Sequence, residues 1–399
     1  MCFEAAPHSV QENKMYSDKS YGRSAEVEDI YRLFNAGIDI SMPGPRRLGK
    51  TFVLDRVVES ASEFGWNAIK AEVAGCTTTT DFYQVVCGRI EQKLGGLERT
   101  NAWFAQRVGQ VLSPHRTSTD SWYKPLTTLD YERYFERLCA FLADDKDKKW
   151  ALLIDELPIF LKAMHDTGAA GIKQARDFMN LTSRLREDYR ELRWLITGSI
   201  GLEPLAEEGD YSGVLIKFQR FNLQPLSEDH AIEFVIDLAQ TQRLITRTHI
   251  TEEEAKQLVE AVGWRAAFYL EALTLKLRGE PTDDPDTASR LIEDAIHRLL
   301  DPVEMATFGV WEEHLRKHYE ERDRIAAQGI LSELSQDGQG RRISSLVALS
   351  KVNIDERTFR KLIVRLEVDG FISVDDWDAA EPIARFRNPL LRAWWKRFC

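Results

Sequence analysis

Residues 44–51 have the residue types and spacing of a phosphate-binding loop. They read Gly-Pro-Arg-Arg-Leu-Gly-Lys-Thr and match the P-loop pattern G-x-x-x-x-G-K-[ST]. Glycines let backbone N–H groups turn toward phosphate oxygens, and the following helix adds the positive end of its dipole. The pattern predicts that Lys50 reaches the β- and γ-phosphates of ATP and that the Thr51 hydroxyl binds Mg²⁺. The residues predicted to contact the nucleotide in this stretch are Gly44, Pro45, Arg46, Arg47, Leu48, Gly49, Lys50, Thr51 and Phe52.

Two carboxylates follow an apolar run at residues 150–154. Because Mg²⁺ prefers oxygen ligands and keeps several waters, Asp155 is expected to hold the ion through its water shell. Glu156 is expected to orient and polarise the attacking water, since phosphoryl transfer depends mainly on positioning and charge stabilisation. Taken alone, the run could be a strand that ends in acidic turn residues. With the P-loop, it predicts an Mg²⁺-dependent ATPase in which Lys50 and Glu156 are catalytic.

Thr197 and Ser199 close the next apolar run along the chain. A polar side chain at the end of this strand can sense the γ-phosphate, and Ser199 is preferred for that catalytic role. The alternative is a small turn before Gly201, with no contact to the nucleotide.

Three arginines are candidates for a positive charge that completes the site. Arg184 and Arg186 precede the strand that ends at Thr197 and could reach the nucleotide of a neighbouring subunit. A solvated helix face is the preferred interpretation of this pair. Arg265 could act as a second sensor in the helical region that follows, and a surface or packing role is its preferred alternative.

Five short apolar runs predict buried strands, at residues 38–42, 67–73, 150–156, 193–199 and 214–218. Runs that are apolar on both faces and separated by helices indicate an α/β fold with a parallel sheet covered on each side. Ligands of such sheets bind beyond the carboxyl ends of the strands, where the motifs described above terminate. The interval between the P-loop and Asp155 leaves room for one extra strand, as in P-loop ATPases of the additional-strand (ASCE) class.

The chain is divided into four predicted segments. Residues 1–20 form a lead-in, 21–225 the P-loop ATPase core, 226–318 an all-helical lid and 319–399 a winged helix-turn-helix. The last assignment depends on three helical patterns, at residues 324–334, 344–352 and 355–367, followed by two short strands around an acidic turn.

Composition narrows the classes of partner. Of the 399 residues, 43% are hydrophobic and 29% charged, as in an ordinary soluble protein. No apolar run approaches the length of a membrane span, and the N-terminus lacks an apolar signal region. The five scattered cysteines are expected to be reduced thiols. These features predict a cytoplasmic protein with no membrane partner.

Nucleic acid is a disfavoured partner. The net charge is −11, whereas general affinity for nucleic acid requires neutralisation of phosphates. The predicted recognition helix carries four basic residues, which are interleaved with acidic ones: Arg357, Arg360, Lys361 and Arg365. The predicted wing is acidic and would be repelled by the DNA backbone. DNA binding stays possible, but a protein-contact or autoinhibitory role is preferred.

The C-terminal segment has apolar residues at helical spacing. These residues are Leu390, Leu391, Trp394, Trp395 and Phe398. The preferred interpretation is a helix packed on its own domain, and the alternative is an anchor for a partner.

Several motifs together resemble those of a known family. They are Tyr-Gly-Arg at residues 21–23, the P-loop, Leu-Leu-Ile-Asp-Glu-Leu-Pro, Ile-Thr-Gly-Ser, and the segment at residues 386–395. The combination resembles the archaeal-type ATPase group, in the STAND branch of AAA+-like NTPases, and spans nearly the whole chain. The resemblance implies an ATPase core, a helical lid and a winged helix, with Tyr21, Gly22 and Arg23 near the adenine. The lid departs from the family, because Gly263 is followed by Trp264 and Arg265 without the usual proline.

Members of this group commonly act as nucleotide-dependent switches in defence, regulation or mobile elements. The leading hypothesis is therefore an ATP-hydrolysing molecular switch that binds ATP or ADP and controls self-assembly or a protein partner. One alternative is a DNA-binding ATPase, resembling origin-recognition or transposition helper proteins. Another is a nucleotide-binding scaffold with negligible turnover.

Overall fold

The structure is a computed structural model that describes residues 21–97, 130–240, 247, 249–302, 306–349 and 355–399. The predicted lead-in at residues 1–20 lies outside the described residues. Contacts divide the chain into two compact units. The first, called here the sheet unit, contains residues 25–43 and 50–222. The second, the lid unit, contains the described residues up to Ser24, the loop Gly44–Gly49, and residues from Leu223 onward.

In the described part of the sheet unit, five parallel strands form a sheet in the spatial order β2-β3-β4-β1-β5. The strands are β1 Ile40–Pro43, β2 Trp66–Glu72, β3 Lys149–Asp155, β4 Leu192–Gly198 and β5 Gln219–Arg220. Every residue of β4, and all but the first of β3, is buried. Their continuous apolar runs reflect this burial, because the helices of a parallel sheet cover both of its faces.

The strand order confirms the predicted additional-strand core, although the inserted strand is not the expected one. The strand between the two motifs in sequence is β2, and it lies at the edge of the sheet. In space, β4 separates the P-loop strand β1 from β3, which ends at Asp155. The carboxyl ends of β3 and β4 are therefore neighbours.

Helices surround this sheet. They are α1 Arg23–Asn35, α2 Lys50–Ser60, α3 Thr79–Leu97, α4 Tyr131–Ala143, α5 Leu157–His165, α6 Ala169–Asp188, α7 Leu202–Gly209 and α8 Ser212–Leu215. An aromatic cluster fills the core beneath β3 and β4, where Phe82 stacks on Phe160 at a centroid distance of 5.1 Å and meets Phe178 edge-on at 4.7 Å. Such pairs stabilise the core beyond the apolar area they bury.

The prediction of a strand at residues 214–218 is wrong. Val214 lies in the short helix α8, and Ile216 is 84% exposed. In a strand, Ile216 would share a face with Val214 and Phe218, which are both buried, so its exposure argues against a strand here. The fifth strand begins at Gln219, whose N–H donates to the carbonyl of Asp39 on the β1 side.

From Leu223 to His318, the described residues of the lid unit form five helices. They are α9 Glu228–Gln240, α10 Glu252–Val262, α11 Ala267–Thr274, α12 Pro285–Leu299 and α13 Ala306–His318. Thr251 and Glu254 form a reciprocal capping box that fixes the start of α10. The Glu254 carboxylate is fully buried, and Arg247 neutralises it at 2.7 Å.

Three helices, a three-stranded antiparallel sheet and a final helix follow. They are α14 Glu321–Ser335, β6 Arg341–Arg342, α15 Ile343–Leu349, α16 Glu356–Val368, β7 Ile372–Val374, β8 Ile383–Phe386 and α17 Pro389–Phe398, and the sheet order is β6-β8-β7. We call residues 321–398 the C-terminal module. The helices predicted at residues 324–334 and 355–367 and the hairpin are present, and the helix predicted at residues 344–352 is present up to Leu349, with residues 350–352 outside the described residues. The strand β6 was not predicted. Two residues are too few for a periodic signal.

The final helix α17 packs within its own unit, which confirms the preferred interpretation of the C-terminal segment. The Asn388 side chain caps the helix by accepting from the backbone N–H groups of Leu390 and Leu391. Leu390, Leu391, Trp394 and Trp395 are buried. In the part of the chain that the structure describes, no helix combines the length and apolarity needed to cross a membrane.

Arg186 does not lie on a solvated face, contrary to the preferred interpretation. Its guanidinium is buried, bonds Asp39 at 2.6 Å and lies 3.6 Å from the centre of the Phe218 ring. Asp39 in turn accepts from the backbone N–H of Trp194 on β4. Arg186 therefore links α6 to the sheet and cannot act as an arginine finger in this arrangement. Arg184, on the same helix, is exposed.

The two arginines are a matched pair for a stability measurement. We expect Arg186→Ala to lower the free energy of unfolding by about 3 kcal/mol, because the buried side chain of Asp39 loses its main partner. Arg184→Ala should change it by less than about 0.5 kcal/mol. Denaturant unfolding of both variants gives the comparison, and equal effects would contradict the structural role of Arg186.

Candidate nucleotide-binding and hydrolysis site

Two of the three predicted catalytic residues, Glu156 and Ser199, lie at the carboxyl ends of β3 and β4. The two strands pair in parallel register, with Ile154 opposite Ile196. The residues that follow, Asp155 and Glu156 on one side and Thr197 and Ser199 on the other, are therefore side by side. Of these four, only Glu156 is more than marginally exposed.

Thr51 and Asp155 present two oxygen ligands at one place. The Thr51 hydroxyl donates to Asp155 Oδ2 at 3.0 Å, and the Thr51 side chain is exposed. A hydroxyl and a carboxylate at this separation suit a hard divalent cation that retains several waters, so the residues fit Mg²⁺. Lys50 precedes Thr51 at the start of α2 and is buried. Among the described residues, no group of three or more His, Cys, Asp or Glu side chains could hold a metal ion by itself.

Thr197 contacts both members of the acidic pair. Its hydroxyl donates to Asp155 Oδ1 at 2.5 Å and accepts from the backbone N–H of Glu156 at 3.2 Å. Sequence reasoning preferred Ser199 over Thr197 and missed this bridge. A hydroxyl residue at the end of the strand next to an Asp-Glu pair is the signal that could have indicated it.

Glu156 has a strained backbone and a constrained side chain. Its φ and ψ angles of 62° and 37° lie in the left-handed region, which costs a residue with a side chain about 1–3 kcal/mol. Glu156 Oε2 accepts from both the backbone N–H and the hydroxyl of Ser199, each at 2.8 Å. Ser199 thus contacts directly the carboxylate that the sequence predicts to be catalytic.

The loop Gly44–Gly49 packs within the lid unit. The Arg47 guanidinium lies 4.1 Å from the centre of the Phe268 ring on α11. The Nη2 atom of Arg46 is 3.3 Å from Nε2 of His318 at the end of α13. Gly370, in the C-terminal module, approaches Pro45 so closely that an added Cβ would be 2.1 Å from the proline Cβ. The variable positions of the motif therefore contact two parts of the lid unit, the helices before residue 319 and the C-terminal module.

The Tyr-Gly-Arg residues also adjoin this loop. The Arg23 guanidinium donates to the carbonyl of Leu48 at 3.4 Å and to that of Gln224 at 2.9 Å. Tyr21 meets Phe234 of α9 edge-on at a centroid distance of 5.0 Å. Gly22 packs so closely on His230 that a Cβ would overlap its ring. The predicted adenine-proximal residues are thus joined to the loop through Arg23.

A buried polar network lies next to the loop contacts. Asp369 Oδ2 is 3.1 Å from His314 Nε2 and accepts from the Tyr319 hydroxyl at 2.7 Å. Burial raises the pKa of the Asp369 carboxyl, but the hydrogen bond and charge of His314, the charge of Arg365 and the hydrogen bond of Tyr319 together outweigh this, and the pKa lies below its usual range. Arg365 donates to the His318 carbonyl and stacks on Tyr319. The network connects α13 to the turn that contains Gly370.

Two further residues singled out from the sequence are Arg265, the candidate second sensor, and Phe52, a predicted nucleotide contact. The Arg265 Nε donates to the carbonyl of Leu226 at 2.8 Å, while the Leu226 N–H donates to the Arg265 carbonyl. This is a packing arrangement, the alternative that the sequence preferred. Phe52, on the first turn of α2, is half-buried.

Replacement of Gly370 tests the packing of the loop. Gly370 has φ of 92°, so Gly370→Ala introduces backbone strain as well as overlap with Pro45, and should destabilise the protein by at least about 2 kcal/mol. Gly329→Ala is the control. That helical glycine has open space around it, and alanine should stabilise it by about 0.5–1 kcal/mol. Thermal unfolding of both variants should give shifts of opposite sign, and a neutral Gly370→Ala would contradict the contact.

Comparison with solved structures identifies a protein of the same fold. The Walker-type ATPase PABY2304 of Pyrococcus abyssi is 17% identical, with 94% of this chain and 96% of that chain covered and a TM-score of 0.61. The ORC2 protein of Aeropyrum pernix is 11% identical over 97% of this chain and 98% of that chain, but its TM-score of 0.42 is too low to carry an argument. No family model and no curated protein matches the chain. At this identity the likeness concerns the fold alone, and the chain has the predicted α/β P-loop ATPase fold.

Proposed function

We propose that this protein is an ATP-binding and ATP-hydrolysing molecular switch whose nucleotide state controls self-assembly or a protein partner. One observation carries the proposal. The loop with the phosphate-binding pattern contacts Phe268 of the lid and Gly370 of the C-terminal module, and leads along the chain directly into Lys50. A ligand in this loop therefore acts on residues of both regions.

Nucleotide binding is assigned to the P-loop residues. Backbone N–H groups of the loop and the ammonium of Lys50 are the groups that bind phosphates in such loops. Mg²⁺, when bound, neutralises charge on the β- and γ-phosphates. Thr51 and Asp155 are the residues that would hold it, because their oxygens already lie 3.0 Å apart.

Hydrolysis is assigned to Glu156. Its carboxylate lies at the carboxyl edge of the sheet beside Asp155 and is half-buried. In this position it orients a water and accepts a proton from it, while Lys50 stabilises negative charge on the phosphates. Positioning and charge stabilisation account for most of the catalysis in this class of reaction.

Switching follows from the contacts of the loop. Arg46 now contacts His318 and Arg47 now contacts Phe268. Both arginines are positively charged, so phosphates bound in the loop would compete with these two contacts. A ligand shifts a conformational equilibrium only through different contacts in the two states, and these arginines supply such a difference. The buried His314–Asp369–Tyr319 network gives the C-terminal module a rigid attachment through which the change is transmitted.

The C-terminal module is a weak candidate for DNA binding. Several of its arginines form ion pairs with neighbouring carboxylates, among them Arg360 with Glu356 at 3.2 Å and Arg342 with Glu381 at 2.7 Å. Phosphate contacts would have to replace these pairs. Titration of labelled duplex DNA by fluorescence anisotropy at several salt concentrations tests this role. Tight binding with a steep salt dependence would favour the DNA-binding ATPase over the switch.

Two substitutions test the assigned chemistry. We expect Lys50→Ala to abolish Mg-ATP binding, because the phosphates lose their main cation. Glu156→Gln should bind ATP as the wild type does and reduce hydrolysis by at least about a hundredfold, because the amide cannot accept a proton. Lys173→Ala, which removes an exposed lysine of α6, is the control and should change neither property.

Calorimetric titration with ATP and a steady-state phosphate-release assay provide the two measurements. Unchanged hydrolysis by Glu156→Gln would contradict the mechanism. Binding without turnover in the wild-type protein would instead indicate the nucleotide-binding scaffold.

A further inference from the structure

Ser199 uses all of its hydrogen-bond donors on one oxygen atom. A serine has one backbone N–H and one hydroxyl proton. Both are directed to Glu156 Oε2 at 2.8 Å, and the Ser199 side chain is 3% exposed. A sensor of the γ-phosphate must donate to a phosphate oxygen, and Ser199 has no proton left for that purpose.

Thr197 is committed in the same way. Its hydroxyl proton is donated to Asp155 Oδ1, and its oxygen accepts from the Glu156 N–H. Neither hydroxyl at the end of β4 can donate to a nucleotide without releasing a carboxylate of the acidic pair. Each hydroxyl thus donates to one carboxylate of the pair, Thr197 to Asp155 and Ser199 to Glu156.

The other carboxylate oxygen of Glu156 remains available. Among the described residues, none donates to Oε1. A carboxylate with one oxygen fixed and the other open is oriented to accept a proton from water. The left-handed backbone of Glu156 also requires contacts that hold it in place, and Ser199 and Thr197 provide them.

We propose that Ser199 is a positioning residue that fixes the Glu156 carboxylate for activation of the hydrolytic water, and is not a γ-phosphate sensor. This inference rests on the proposed ATPase function. In the reaction, the water oxygen forms a bond to the γ-phosphorus, and the bond from that phosphorus to the bridging oxygen of ADP breaks. The proton released by the water passes to Glu156 Oε1, and the products are ADP and inorganic phosphate.

The first test separates positioning from sensing. Ser199→Ala keeps the backbone donor and loses the hydroxyl, so kcat for ATP should fall about tenfold, part of the 10²–10⁴-fold that a positioned base contributes. KM and the affinities for ADP and a non-hydrolysable ATP analogue should not change. A sensor role would instead weaken the analogue relative to ADP, and that result would overturn the proposal. Ser60→Ala removes another buried hydroxyl, bonded only to Arg56 O, and should leave kcat unchanged.

The second test asks whether Ser199 acts through Glu156. In a Glu156→Ala background, adding Ser199→Ala should cause no further fall in single-turnover hydrolysis, because there is no carboxylate to position. A further fall of the same size would show that Ser199 acts on the nucleotide directly and would overturn the proposal.

Unfolding of the same four proteins gives a readout that does not depend on turnover. The effects of Ser199→Ala and Glu156→Ala on stability should be non-additive, since the two residues are in direct contact. Additivity would overturn the contact itself. If the wild type shows no turnover while the stability effects are non-additive, the contact between Ser199 and Glu156 is supported. The same result would overturn the ATPase function and, with it, the catalytic role proposed for Ser199.

Discussion

The parallel pairing of β3 with β4 places two carboxylates beside two hydroxyls, and the candidate site depends on this arrangement. Asp155 is 1% exposed, and a buried carboxylate is costly unless hydrogen bonds replace its water. Thr51 and Thr197 donate to its two oxygens, and Ser199 donates twice to Glu156. Because these donors lie on neighbouring elements, the residues of the proposed cation site and of the proposed proton acceptor are brought together from α2, β3 and β4.

A second set of constraints acts on the loop Gly44–Gly49. The P-loop pattern fixes only Gly44, Gly49, Lys50 and Thr51 and leaves four positions open. In this chain those positions are occupied by Pro45, Arg46, Arg47 and Leu48, and each has a partner in the lid unit. The loop is thus part of the packing of the lid and the C-terminal module. In the proposed switch, the residues that would surround a phosphate are the same residues that make the contacts of these regions.

Prediction from sequence succeeded where a local pattern reflects burial. The apolar runs of β3 and β4 are buried on both faces, and the periodicity of α17 matches its buried tryptophans. It failed where a partner distant in sequence decides the outcome. Arg186 has the sequence surroundings of a solvated arginine, and only the fold reveals Asp39, 147 positions away. The strand at Gln219–Arg220 is defined by its bonds to β1 rather than by its own composition. The contact of Ser199 with Glu156 required knowledge that β3 and β4 are adjacent.

Backbone strain is concentrated at the residues to which chemistry is assigned. Four described residues other than glycine have positive φ angles, namely Tyr21, Arg47, Glu156 and Asp210. Asp210 ends α7, whereas Tyr21, Arg47 and Glu156 belong to the predicted nucleotide-binding and catalytic set. Each of the three is held by a specific contact, with Phe234, Phe268 and Ser199 respectively. Such a conformation costs about 1–3 kcal/mol and persists only where the surrounding structure determines it. Backbone conformation is an observation separate from the sequence motifs, and it singles out residues that the motifs also indicate.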